Sequence, residues 1–167
     1  MVTTLRHHRQ PSRYIFYSLA FILSFLLCLP WVSAKEQPKP QPEAWQINGI
    51  VAALDDGHDQ VKQYALSKLV EYNLQNLKSV NQKLEDIAKK TAQILKDQSV
   101  NKDVRRGAAS ALGNLGEAAK PYLKDIADIL KDQSVDSTVR ASAAQALGNM
   151  GEAAKPYLKD IADILKD

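Results

Sequence analysis

The chain has 167 residues, with 22 Lys and Arg against 19 Asp and Glu, three histidines and one cysteine. Its basic excess lies wholly in the first 34 residues, where Arg6, Arg9 and Arg13 stand without an acidic partner; the remaining 133 residues hold 19 of each sign and no cysteine. A neutral body has no surplus to neutralise phosphates or an anionic membrane, and a body without cysteine is held by packing and not by disulfides.

In chain order, the basic start is followed by an apolar stretch from Ile15 to Leu29 and by Val32-Ser33-Ala34. That order predicts a signal peptide over residues 1–34, cleaved after Ala34, and an exported protein, periplasmic or extracellular. The alternative is a membrane tether formed by an uncleaved leader, although the apolar stretch falls short of the roughly 20 residues that a spanning helix needs. Cys28 could carry a lipid, but Leu27 stands where a small residue would be expected. Residues 35–44, with three prolines alternating with polar residues, read as a semi-extended Pro-rich linker.

The folded part is expected over residues 45–167. Ile47, Ile50, Val51 and Leu54 share one helical face, and Val61, Ala65, Leu66, Leu69 and Val70 another, with the turn DDGHD between them. Asn73 to Asp86 reads as a lengthened connection. Val104, Ala108, Ala109, Leu112 and Leu115 then form a stripe closed by Gly116, and Asn101 is placed to cap the start of that helix. A helix beginning at Pro121 carries Tyr122, Leu123, Ile126, Ile129 and Leu130. The next stripe is Val139, Ala143, Ala144, Leu147 and Met150, with Asp136 as cap and Gly151 as stop.

The 21 residues from Leu112 to Asp132 recur from Leu147 to Asp167 with one change, at an offset of 35. Such a period predicts an all-α fold, an α-solenoid of antiparallel helix pairs. Three pairs are expected, each a first helix A and a second helix B. A fourth A helix, Pro156 to Leu165, keeps the interior pattern at Tyr157, Leu158, Ile161, Ile164 and Leu165, so the array is expected to continue in a longer protein.

Asp103 to Gly116 (DVRRGAASALGNLG) and Thr138 to Gly151 (TVRASAAQALGNMG) resemble the B helices of HEAT-like repeats, particularly the shorter type first described in phycobilin lyases. Val61 to Asn73 fits more loosely. The resemblance implies a solenoid that serves as a binding or scaffold surface. It further implies a structural ladder of Asp56 with Lys62, Asp97 with Arg105 and Asp132 with Arg140, bonding across neighbouring repeats and satisfying turn backbone groups. Solvated charges at helix ends are the alternative. It also implies a partner-binding face on the B helices, at Arg106, Ser110, Gln145 and Asn149, with an ordinary solvated face as the alternative.

Catalytic chemistry finds little support. Asp55, Asp56, His58 and Asp59 could hold a divalent ion; the competing reading is a capped turn with Gly57 at positive φ. Deoxyhypusine hydroxylase, an enzyme of HEAT-like repeats, carries paired His-Glu motifs, and this sequence has none. P-loop and dinucleotide signatures are absent, and Ser110 and Ser142 have no histidine near them in sequence. The expected function is therefore an exported protein-binding or scaffold module that is not an enzyme. No cofactor, metal, nucleic acid, small-molecule substrate or membrane beyond the leader is implied. The alternative is an enzyme subunit or lyase-like HEAT protein that grips a protein substrate.

Overall fold

The computed structural model describes residues 38–74 and 81–157, together with Lys159 and Ala162. The expected signal peptide and most of the expected terminal helix lie outside these residues. Six α-helices are found among the described residues, with no strand: α1 (Ala44–Leu54), α2 (Asp59–Glu71), α3 (Asn81–Lys96), α4 (Lys102–Leu115), α5 (Leu123–Lys131) and α6 (Ser137–Asn149). Two 3₁₀ helices, Gly116–Tyr122 and Gly151–Tyr157, follow α4 and α6.

The helices pair as α1 with α2, α3 with α4 and α5 with α6, and the pairs stack into two layers, α1–α3–α5 and α2–α4–α6. Helical periodicity explains how α4 serves three neighbours at once. Val104, Ala108, Ala111, Leu112 and Leu115 are buried in the core. At about 100° per residue, Gly107 and Gly113 lie off that stripe and about 120° from each other. A Cβ on Gly107 would lie 3.5 Å from Leu66 of α2, and one on Gly113 would lie 2.8 Å from Cα of Ala146 in α6. Small residues thus set how closely the second layer stacks.

Asn101 and Asp136 cap α4 and α6 as expected, accepting from the backbone N–H of Asp103 at 2.8 Å and of Thr138 at 2.9 Å. Gly116 and Gly151 end those helices at φ of 54° and 53°, the left-handed conformation that glycine adopts without a steric penalty.

Five expectations are corrected. Pro121 does not start the A helix: it lies within the first 3₁₀ helix, and α5 begins at Leu123. Proline lacks an N–H and disfavours the α conformation at Lys120, so the turn after Gly116 tightens before α-helix resumes. The stretch Asn73 to Asp86 is not all connection, because α3 starts at Asn81. Leu84, Ile87, Ala88, Thr91, Ala92 and Leu95 form its buried stripe. Gly57 has no positive φ; among the described residues only Gly116 and Gly151 do. Val61 is 37% exposed whereas its counterparts Val104 and Val139 are buried, since among the described residues no helix precedes α1 and α2 to cover it. Finally, Pro38 to Glu43 touch the array instead of standing clear of it. Pro42 is buried, and the carbonyl of Pro40 accepts from the backbone N–H of Asn73 at 2.9 Å.

Candidate functional site

At the turns between paired helices, three aspartates act first on their own backbone. Asp97 accepts from the hydroxyl and the N–H of Ser99 at 2.6 and 2.9 Å, and Asp132 does the same with Ser134 at the same distances. These Ser hydroxyl and backbone bonds hold both carboxyls below the usual carboxylate range. Asp56 is lowered by the backbone N–H of His58, 2.7 Å away, and next by the imidazole beside it.

The basic residues approach without closing ion pairs on these aspartates. The positive charges of Lys62 and Arg105 both act on Asp97, and those of Arg105 and Arg140 both act on Asp132, so the charges alternate from one repeat to the next. Arg105 is 6% exposed, and its Nε donates to the carbonyl of Leu95 at 2.9 Å, tying the end of α3 to α4. Arg140 is half-buried, and its Nε has no partner among the described residues. Direct contacts between repeats fall elsewhere: Lys90 with Asp55, Lys96 with Asp125 at 3.1 Å, and Lys102 with Asp136 at 3.4 Å.

In the DDGHD turn two of the three carboxylates already have partners. Asp55 engages Lys90 and Asp56 engages His58. Among the described residues no group of three or more His, Cys, Asp or Glu side chains is arranged to hold a metal ion.

On the second layer, Arg106 and Ser110 lie four residues apart on α4, and Gln145 and Asn149 lie four apart on α6, on the side away from the first layer. Arg106, Gln145 and Asn149 are exposed and Ser110 is half-buried. Ser110 and Gln145 are repeat equivalents, so the two stripes stand beside each other across the α4–α6 contact. Arg106 Nε is 3.7 Å from Asp103, and the Ser110 hydroxyl donates to the carbonyl of Arg106 at 3.3 Å. The surface is polar, with one cation, Arg106, that stands near Asp103, and it offers hydrogen-bonding groups along both helices.

Two features escaped the sequence reading. Asn114, the next position on the α4 stripe, donates through Nδ2 to the carbonyls of Leu69 at 2.6 Å and Tyr72 at 3.0 Å, while its Oδ1 accepts from Lys39 Nζ at 2.7 Å. The helix α2 ends at Glu71 without a glycine, so its last carbonyls need an outside donor, and Asn114 supplies one. The other feature is a groove of about 320 Å³ between α1 and α2, lined by Trp45, Gly49, Ala53, Tyr64, Lys68 and Tyr72 among others. Trp45 is 67% and Tyr64 66% exposed, and Lys68 Nζ lies 5.3 Å from the Tyr64 ring centroid. Three aromatic residues within one short helix pair were the available signal.

Residues 88–164 match the family of HEAT repeats, from the middle of α3 through the second 3₁₀ helix and beyond. None of the curated proteins matches the chain. The repeats within residues 88–164 are thus HEAT-like, and HEAT repeats commonly serve as protein-interaction scaffolding.

Proposed function

We propose that this chain is an exported protein-binding or scaffold module, cleaved after Ala34, that uses the outer face of its second helix layer and performs no chemistry of its own. The carrying observation is the polar surface formed where the Arg106–Ser110 stripe of α4 meets the Gln145–Asn149 stripe of α6. A stacked array supplies such a surface without a pocket. The 35-residue period supports assignment to the shorter HEAT-like type. Basic, apolar and small-residue segments in that order before Lys35 support export.

The test is an affinity capture from the periplasmic or extracellular fraction with residues 35–167 as bait, beside a bait carrying Ser110→Glu and Gln145→Glu. A protein held by the first bait and lost from the second is the expected result. Equal capture by both baits would move the binding face elsewhere, and no capture from either would overturn the reading.

A further inference from the structure

The Pro38–Pro42 segment has the form of a bound peptide. Its prolines fall at every second residue, Pro42 is buried, the carbonyl of Pro40 accepts from Asn73 N–H at 2.9 Å, and Lys39 Nζ donates to Asn114 Oδ1 at 2.7 Å. One main-chain bond, one buried proline and one specific side-chain contact are the elements by which extended peptides are recognised.

The receiving groups are fixed before any peptide arrives. Both Nδ2 bonds of Asn114 go to the C-terminal carbonyls of α2, so its Oδ1 points outward as an oriented acceptor. The negative end of the α2 dipole lies at the same place and favours an ammonium group. Tyr72, whose carbonyl Asn114 holds, also forms one wall of the aromatic groove between α1 and α2. Trp45 and Tyr64 extend that wall, and aromatic grooves take prolines well because the segment is already extended before it binds. The repeat equivalent of Asn114 is Asn149, which is exposed; the helix before it in the layer, α4, is closed by Gly116, where α2 has no glycine.

We propose that the Asn73–Asn114 site is a peptide-binding site occupied in cis. Its ligand class is an extended segment with a lysine between prolines, presented in trans by a partner protein when residues 38–42 give way. This rests on the reading of the array as a protein-binding module and names the chemistry of one partner segment. The cis segment acts as a strap. It lowers the affinity for any trans peptide in proportion to the fraction of molecules in which it is seated.

The probe is a fluorescent nonapeptide of sequence Lys-Glu-Gln-Pro-Lys-Pro-Gln-Pro-Glu, titrated by anisotropy against three forms of the full chain. These are the unaltered chain, the Lys39→Ala variant, and a strap-loosened variant with Lys39→Ala, Pro40→Gly and Pro42→Gly. Lys39 is exposed, so its replacement leaves the helices in place, and circular dichroism verifies the loosened form. Binding should tighten from the unaltered chain to Lys39→Ala and again to the loosened form, by about tenfold or more in all. A peptide with norleucine for its central lysine should lose most of that gain. Equal binding by all three forms, absence of binding by the folded variants, or indifference to norleucine would overturn the proposal. The Ser110→Glu and Gln145→Glu changes should leave this peptide binding unaltered, which separates its failure from a failure of the outer-face reading.

Discussion

Helices α4 and α6 carry nearly the same sequence in two different surroundings. Both are capped by a side-chain oxygen, both end in a glycine at positive φ, and both run into a 3₁₀ turn of sequence GEAAKPY. Local structure is thus repeated faithfully. Burial is not: Arg105, Ala109 and Gly113 are buried, whereas Arg140 and Ala144 are half-buried and Gly148 is exposed. Gly113 has Ala146 pressed against it, while Gly148 has nothing within 4 Å of where a Cβ would be. In a stacked array the repeat dictates the helix, and the neighbour dictates what each face is worth.

Matched substitutions can break that comparison. The largest difference is expected at the glycines. Gly113→Ala puts a Cβ against the backbone of Ala146 and should cost about 3 kcal/mol, because helix backbones have to separate. Gly148→Ala meets open space in a helix and should stabilise by about 0.5 kcal/mol. Urea unfolding of the two variants measures both, and equal shifts would show that the two helices are equally covered.

The arginines should differ less. Arg105→Ala removes a buried donor from the Leu95 carbonyl and should cost about 1.5 kcal/mol. Arg140→Ala should cost less than about 1 kcal/mol, since its Nε has no hydrogen-bond partner among the described residues. A larger loss at Arg140 would mean that its interaction with Asp132 matters more than the Arg105 bond.

Thr91 sharpens the account from within the core. It is fully buried in α3, and its hydroxyl has no partner among the described residues. Thr91→Val should therefore stabilise by about 1 kcal/mol in the same unfolding assay. Destabilisation would show that the hydroxyl is satisfied.

The smallest effect concerns the caps. Asp136 at the start of α6 is held down to about 2 by the Thr138 hydroxyl and then its N–H, whereas the same place on α4 is Asn101 and does not titrate in this range. A folded pKa below the ordinary 3.8 means that the stabilisation is complete above about pH 4 and is lost as pH falls toward 2. Hydrogen exchange at the start of α6 should therefore quicken over that window relative to α4. Asp136→Asn should remove the difference.

Much of this fold was legible because periodicity and punctuation agree in the repeats. The Val104–Leu115 and Val139–Met150 stripes, the caps at Asn101 and Asp136, and the stops at Gly116 and Gly151 all follow from local chemistry. The first half of α3 was missed because its apolar residues are interleaved with Lys and Asp and have no exact repeat copy to reveal them. Pro38–Pro42 reads as a free linker by composition, and its seat on Asn73 and Asn114 depends on how α2 happens to end. Asn114 looks like Asn149 in sequence. Only its position beside an uncapped neighbouring helix gives it a task.

The central claim is that partners meet the outer face of the second layer. Site-specific photo-crosslinking tests it most directly, with a photoreactive residue at Gln145 on that face and, separately, at the exposed Lys124 of the first layer. In the exported fraction, a discrete crosslinked species from position 145 and none from position 124 is the predicted result. A species formed from position 124 alone would contradict the account.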